Sequence, residues 1–335
     1  MLKVAVTGPT GEIGLSLLAE LDRNDEVGLV RGMARGSFDP AEEGLAKVEY
    51  RRGDILDSDS LALLFDGVDV VVHLAFAIFG DREMTRRVNL DGSRAVFAAA
   101  TEAGVGRLVY TSSVAAYGFH PDAPNPLTEE DPAQGSSGFY YSAQKAELEG
   151  ALADATTGTG VEAYVFRPSV VAGPRATMVV RQAVKAARLG DPLPGLRRAL
   201  GRIPHLPPML PDGGVPFQLV HHDDVAAALA AAVEGRGEPG AYNLAAEGEV
   251  GIGDVASSLG WRSVRVPAPA FRFGAGFARR LSFASADLEW AIGLAHPVLM
   301  STAKARQELG WEPRRDAATI LAETADSARA AGMLD

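Results

Sequence analysis

The chain has 335 residues, 47% hydrophobic and 22% charged, with a net charge of −11 and no cysteine. The acidic balance argues against nucleic acid as a ligand, because a basic field is what holds phosphate backbones; the missing cysteines exclude disulfides, Cys-ligated zinc and a thiol nucleophile, and fit a reducing cytoplasm. The first residues do not read as a secretory signal, and no run of about 18 apolar residues reads as a membrane span, so a cytoplasmic location is expected.

Leu2 to Val6 reads as a short buried strand, β-branched at Val4 and Val6. Gly8, Gly11 and Gly14 follow at three-residue spacing, and Ile13 to Leu21 continues as an amphipathic helix. Strand, glycine turn and helix make a phosphate cradle. The first glycine permits the tight turn, the second lets a pyrophosphate approach the backbone, and the third lets helix pack on strand. The helix N-terminus turns free N–H groups and a positive partial charge toward the anion. Glu26 to Ala34 reads as strand two, residues 36–44 as a loop, and Val48 to Arg51 as a short strand leading to Gly53-Asp54-Ile55. Ser58 to Phe65 is a helix capped by Asp57 or Ser58. Val68 to Ala75 is continuous and apolar, as a strand buried on both faces requires. Met84 to Ala103 reads as a long helix, Arg107 to Ser112 as a strand, Pro121 to Pro132 as an acidic loop, Tyr140 to Ala155 as a helix and Glu162 to Phe166 as a strand. Such alternation implies a parallel sheet with helices on both faces.

After Gly173-Pro174 the pattern changes. Met178 to Arg188 is helical, and residues 191–216 carry seven prolines and little periodicity, the mark of a functional or mobile loop. Phe217 to His221 reads as a strand, Asp223 and Asp224 as caps of a helix to Val233, and Ala241 to Leu244 as the last sheet strand. Residues 250–335 read as a smaller α-rich region with a short strand near Val264–Val266. The expected division is 1–174 with 215–247 for a dinucleotide-binding domain, and 175–214 with 248–335 for an interleaved substrate region.

Tyr141 and Lys145 lie four apart on a helix and share a face. A phenol with a pKa of about 10 is a poor acid–base group at neutral pH, and a nearby ammonium is expected to lower it. Thr111-Ser112-Ser113 ends a strand, where ligands of parallel α/β sheets collect. A serine there would hold a carbonyl or hydroxyl oxygen while Tyr141 moves its proton and a nicotinamide exchanges the hydride. His221-His222-Asp223-Asp224 superficially suggests a metal. Neighbouring strand residues face opposite ways, however, and the acids suit a helix cap, so no metal is expected.

The chain resembles the extended short-chain dehydrogenase/reductase family, the NAD-dependent epimerase/dehydratases. The matching segments are TGPTGEIG at 7–14, GDILD at 53–57, VVHLA at 71–75, NLDGSRAVFAAA at 89–100, YTSSVAAYG at 110–118, YYSAQKAELE at 140–149, RPSVVAGP at 167–174, HHDDVAAA at 221–228, YNLAAEG at 242–248 and LGWEP at 309–313. The resemblance implies an α/β fold, a Rossmann-like doubly wound parallel sheet of seven strands with a smaller, interleaved C-terminal α-rich substrate domain. It implies a catalytic set of Ser113, Tyr141 and Lys145: Tyr141 as general acid/base, Lys145 on the nicotinamide ribose, Ser113 on the reacting oxygen. Counting back from Tyr117-Gly118 selects Ser113 over Ser112. The cofactor set it implies is Gly8, Thr10, Gly11, Glu12, Ile13, Gly14, Arg35, Asp54, Ile55, Ala75, Tyr141, Lys145 and Pro168, with Asp54 at the adenine amino group. Asn89 is mostly structural in this family. A homodimer through the helices near 84–103 and 140–155 is also implied.

NAD binders place an acid at the end of strand two for the ribose 2′-hydroxyl. Residues 27–38 hold no Asp or Glu but do hold Arg31 and Arg35, which suit a 2′-phosphate, so NADP is favoured over NAD. Three departures from the family narrow the reaction. Val114 and Ala115 stand where dehydratases carry an acid pair, and without it water elimination lacks its acid and base. Phe217 stands where sugar-nucleotide epimerases carry an arginine for the diphosphate. Sugar-nucleotide members carry asparagine after the Arg167 strand, where RPSVVAGP resembles the reductase and hydroxysteroid-dehydrogenase-like branches instead. These favour an oxidoreductase acting on a small or apolar carbonyl/alcohol substrate, with Phe271, Phe273, Phe277, Phe283, Leu288, Trp290 and Leu294 either as pocket lining or as core, which is the default for such side chains. Arg197, Arg198 and Arg202 leave an anionic substrate open. The alternatives are an epimerase that retains its cofactor, and a non-catalytic dinucleotide sensor.

Overall fold

The computed structural model describes residues 1–78, 81–136, 138–189, 208–267 and 297–334. The elements are β1 (Leu2–Thr7), α1 (Glu12–Arg23), β2 (Val27–Ala34), β3 (Val48–Arg52), α2 (Ser58–Phe65), β4 (Val70–His73), α3 (Arg82–Arg86), α4 (Ser93–Glu102), β5 (Arg107–Thr111), α5 (Tyr140–Thr156), β6 (Glu162–Pro168), β7 (Val170–Ala172), α6 (Met178–Leu189), β8 (Met209–Asp212), β9 (Leu219–His221), α7 (His222–Val233), β10 (Gly240–Leu244), α8 (Ile252–Ser258), β11 (Arg262–Arg265), α9 (Ala303–Leu309) and α10 (Ala317–Ala330). They fall into two compact units: Met1–Ser169, His222–Ala245 and Met300–Pro313 form the first, and Val170–His221, Ala246–Leu299 and Arg314–Asp335 the second.

The first unit is built on a seven-stranded sheet in the order β10-β6-β5-β4-β1-β2-β3, with every pairing parallel. Val4, Ala5 and Val6 of β1 and Val70, Val71 and Val72 of β4 are fully buried, which explains their unbroken apolar run. From β1 the chain goes outward to β2 and β3, then returns to β4 on the other side. That reversal opens a crevice at the carboxyl ends of β1 and β4. On one face Val71, Leu108 and Tyr110 pack with Leu61, Leu64 and Phe65 of α2, Phe97 of α4 and Leu148 of α5. On the other face α1 lies against α7, joined by Ser16, whose Oγ lies 2.8 Å from His222 Nδ1 and donates to Asp223 Oδ1 at 2.9 Å.

Several boundaries differ from the sequence reading. The long helix begins at Arg82, because the Asp81 carboxylate caps the N–H groups of Glu83 and Met84 at 3.1 and 3.0 Å. It passes through a π-helical turn over Arg87–Gly92 before α4. There Asn89 binds the chain after β4 instead of its own helix surface: its Nδ2 donates to Ala77 O and its Oδ1 accepts from Ala77 N. Asp223 and Asp224 are not caps; α7 starts at His222, so they sit in its first turn and complement its positive end. Residues 300–313 belong to the first unit, since Trp311 Nε1 donates to Asp224 O at 2.7 Å and Lys304 Nζ to Ala241 O at 2.9 Å.

In the second unit β7 pairs with β9, and β8, inside the proline-rich stretch, pairs with β11. Phe217 is not in β9 but forms an isolated bridge with Val250. Its ring belongs to an apolar cluster with Leu219, Val250, Val255, Ile320 and Leu321. Arg197, Arg198, Arg202 and the aromatics between 268 and 296 lie outside the described residues. No helix among the described residues is long and apolar enough to cross a membrane.

Candidate functional site

The β1–α1 turn is a cradle that side chains would fill. Gly8 has φ +74°, and a Cβ there would lie 2.8 Å from the backbone N and Cα of Ala75. Gly11 takes the N-cap position of α1 with no side-chain cap, leaving the first-turn N–H groups for an anion. A cavity of about 340 Å³ opens above this turn, lined by Gly8, Thr10, Gly11, Arg35, Asp54, Ile55 and Ala75 of the expected set. Met33, Ala34, Gly36, Gly53, Leu74, Phe76, Ala77 and Val88 complete the lining. Glu12, Ile13 and Gly14 sit in the first turn of α1 and Pro168 ends β6; none of these four lines the cavity. A crevice with glycine walls, an uncapped helix end and the Asp54 carboxyl at its rim fits the diphosphate and adenosine of a dinucleotide.

Arg35 lines this cavity and has no ion-pair partner among the described residues. Its carbonyl accepts from Arg52 Nε at 3.1 Å, and Tyr50 OH donates to Ala34 O at 3.2 Å, so β3 holds the end of β2 in place. Arg31 is placed elsewhere, which corrects its expected role. It sits mid-strand, donates to Asp66 O at 2.6 Å, and lines a separate groove with Glu49, Tyr50, Arg51, Leu63 and Asp66.

The second cluster forms where β5 ends. Ser113 follows β5, and its Oγ accepts from Ala115 N at 3.2 Å to start a 3₁₀ turn over Val114–Tyr117. α5 turns Tyr141 and Lys145 toward this strand end. The Tyr141 hydroxyl is hydrogen-bonded to Ser113. Lys145 Nζ donates to Thr111 O at 2.8 Å and to Tyr110 OH at 3.3 Å, and stands 3.9 Å from the centre of the Phe76 ring. Phe76 meets Tyr141 edge-on at 5.5 Å and also lines the dinucleotide cavity. Ser113, Tyr141 and Lys145 are 8%, 7% and 3% exposed, and that burial decides their ionisation. It pushes Tyr141 up to about 12, against the Ser113 hydrogen bond. It pulls Lys145 down to about 7, against the attraction of Glu149. In the free protein desolvation therefore outweighs the lowering of the phenol by the ammonium that the spacing suggested.

Several residues outside the expected set also gather here. Ser112 Oγ donates to Glu149 Oε1 at 2.5 Å, and Arg167 pairs with Glu149 at 2.6 Å. Ser112 thus turns its hydroxyl to Glu149, while Tyr141 bonds Ser113. Phe76 directly follows the VVHLA segment and lies in none of the matching segments. His73 lies between Thr7 Oγ1 at 2.7 Å and Ser93 Oγ at 2.8 Å; burial, aided by Lys145, holds it down to about 3 and hence neutral. His222 opens a helix, so the alternation argument made for a strand does not apply to it.

The family model described as NAD dependent epimerase/dehydratase family matches residues 4–245. Among curated proteins, the uncharacterized protein y4nG of Sinorhizobium fredii is 25% identical over 336 residues, covering 95% of this chain and 76% of that protein. Sterol demethylase protein B of Methylococcus capsulatus is 34% identical over 175 residues, covering 50% of this chain and 51% of that protein. For the 3beta-hydroxysteroid-dehydrogenase/decarboxylase isoform 2 of Arabidopsis thaliana the identity is 32% over 155 residues, with 44% of this chain and 27% of that protein covered. The chain thus spans about half or less of the two sterol enzymes. Among solved structures, gox2253 superposes with a TM-score of 0.77 at 25% identity, over 100% of both chains. A UDP-glucuronic acid 4-epimerase from Bacillus cereus in complex with NAD superposes with a TM-score of 0.72 at 17% identity, over 98% of this chain and 99% of that one, a likeness of fold. The chain belongs to the NAD dependent epimerase/dehydratase family of enzymes.

Proposed function

We propose that the chain is an NAD(P)-dependent oxidoreductase in which Ser113, Tyr141 and Lys145 act on a carbonyl or alcohol carbon. The observation that carries this reading is the convergence of the three side chains at the end of β5, with Phe76 shared between them and the dinucleotide cavity. A bound nicotinamide supplies or accepts the hydride. In the direction of reduction, Tyr141 gives its proton to the substrate oxygen as the carbon–hydrogen bond forms, and Ser113 Oγ donates a hydrogen bond to the same oxygen. Burial keeps the Tyr141 phenol protonated at neutral pH, the form that an acid must have. Lys145, fixed by Thr111 O, holds the nicotinamide ribose.

Two observations favour a small or apolar substrate over a sugar nucleotide. Val114 and Ala115 open the 3₁₀ turn after Ser113 and offer no acid or base for water elimination. Phe217 is 8% exposed within an apolar cluster and cannot clamp a diphosphate. The match to two sterol enzymes points the same way. The second reading, an epimerase with retained cofactor, rests on the likeness to sugar-nucleotide epimerases. Nicotinamide absorbance distinguishes them: an oxidoreductase changes it in proportion to product, whereas an epimerase shows no net change and keeps its nucleotide through purification.

NADP is the favoured cofactor, because Arg35 stands at the cavity without a carboxylate partner. Arg35→Asp is expected to weaken NADPH by at least about tenfold, one lost charge-assisted contact, while leaving NADH within a few fold. Dissociation constants for both nucleotides check this, and wild-type protein that binds NADH more tightly ends the NADP preference. A homodimer through α4 and α5 completes the reading, and sedimentation equilibrium tests it.

A further inference from the structure

Behind the Tyr141–Lys145 pair lies a buried ion pair that the proposed chemistry does not use. Glu149 is one turn beyond Lys145 on α5 and two turns beyond Tyr141, so the three share a helix face. Its carboxylate accepts from Arg167 Nη2 at 2.6 Å and from Nε at 3.1 and 3.2 Å. It also accepts from Ser112 Oγ at 2.5 Å. The Arg167 and Glu149 side chains are 7% and 9% exposed, and the guanidinium lies over the Tyr117 ring at 4.4 Å. Apolar side chains in place of such a pair often leave a fold equally stable, so stability alone does not account for it.

We propose that Glu149 is a positioning residue, the fixed countercharge of Lys145 and, through Ser112, the anchor of the strand end that presents Ser113. The inference rests on the reading of Tyr141 and Lys145 given above. Three successive residues of the strand end are tied to α5: Thr111 by Lys145, Ser112 by Glu149, and Ser113 by Tyr141. Arg167 of β6 fixes the Glu149 carboxylate from behind. The groups facing Lys145 are His73 of β4, Tyr110 of β5, and Tyr141 and Glu149 of α5. His73 is neutral, and both tyrosines are held protonated by burial. Glu149 is therefore the negative charge in this set. Lys145 is cationic below about 7 and loses its proton above it; Glu149 opposes that loss.

The test is the pH dependence of NADH and NADPH affinity, followed by nucleotide fluorescence, for wild type, Lys145→Met, Glu149→Gln and Glu149→Asp. Wild-type affinity falls as pH rises through the Lys145 titration, and Lys145→Met removes that dependence. Glu149→Gln moves the midpoint down by about one pH unit, the effect of removing one nearby opposite charge, and Glu149→Asp restores it. A merely structural Glu149 would change thermal stability and leave the midpoint where it was, which overturns the inference while the Lys145 reading stands. If Lys145→Met binds both nucleotides as wild type does at every pH, the Lys145 reading itself fails. Should Glu149→Gln not fold, the double variant with Arg167→Met is compared with Arg167→Met alone, so that only the carboxylate differs; equal midpoints in those two also overturn the inference.

Discussion

Replacing Tyr141 by phenylalanine lowers kcat by about 10²- to 10⁴-fold, the range for loss of a general acid, and leaves cofactor affinity within a few fold. The ring stays where it is: Phe76 meets it at 5.5 Å and Phe139 at 5.8 Å, and neither contact involves the hydroxyl. What disappears is the proton donor and its bond to Ser113, whose Oγ still accepts from Ala115 N. The fold is therefore expected to survive, with a melting temperature within a few degrees of wild type. Because burial holds the phenol near 12, wild-type carbonyl reduction keeps its acid protonated across the neutral range, and no rate loss there comes from Tyr141. Single-turnover hydride transfer, read by nicotinamide absorbance, separates this chemical step from product release. A Tyr141→Phe variant within tenfold of wild type would show that another group carries the proton.

The central sheet was legible because burial on both faces forces continuous apolar runs such as Val70–Val72. The cradle was legible because glycine is demanded at Gly8, where φ is +74° and the Ala75 backbone leaves no room for a Cβ. Tyr141 and Lys145 were legible because helix periodicity alone puts them on one face. Arg31 was misplaced since only the end of β2 reaches the cavity, and strand ends are the least certain feature of a sequence pattern. Ser112, Glu149 and Arg167 were missed for a different reason. Their meeting depends on the register of β5 against β6, which pairs Thr111 with Phe166 and so brings Arg167 beside Ser112. The ionisation of Tyr141 and Lys145 was misjudged because counting charges along a helix omits desolvation, and both groups are almost wholly buried.

Gly14→Ala is expected to lower both stability and cofactor affinity, although Ala is favoured over Gly in a helix interior by about 1 kcal/mol. The competing term is contact. A Cβ at Gly14 would lie 2.4 Å from Pro9 O, 2.5 Å from Pro9 C and 2.6 Å from Gly8 O. These are backbone atoms of the turn itself, so no side chain can swing away to relieve the clash. Either α1 retreats from the turn or the turn opens, at an overpacking cost of about 1–3 kcal/mol, which outweighs the helix preference. Gly8, Thr10 and Gly11 move with the turn, and all three line the cavity. Affinity for NADH and NADPH should therefore fall together by about tenfold or more, each tenfold being about 1.4 kcal/mol. That joint loss separates this variant from Arg35→Asp, which acts on NADPH. Gly150→Ala is the matched control: Gly150 is exposed inside α5, and a Cβ there would meet nothing within 4 Å. With no clash the helix term stands alone, and this variant should gain about 0.5–1 kcal/mol. Thermal melts and nucleotide titrations of the two variants decide the matter. If Gly14→Ala were to bind and melt like wild type, the close packing of α1 on the turn would not be what shapes the cradle.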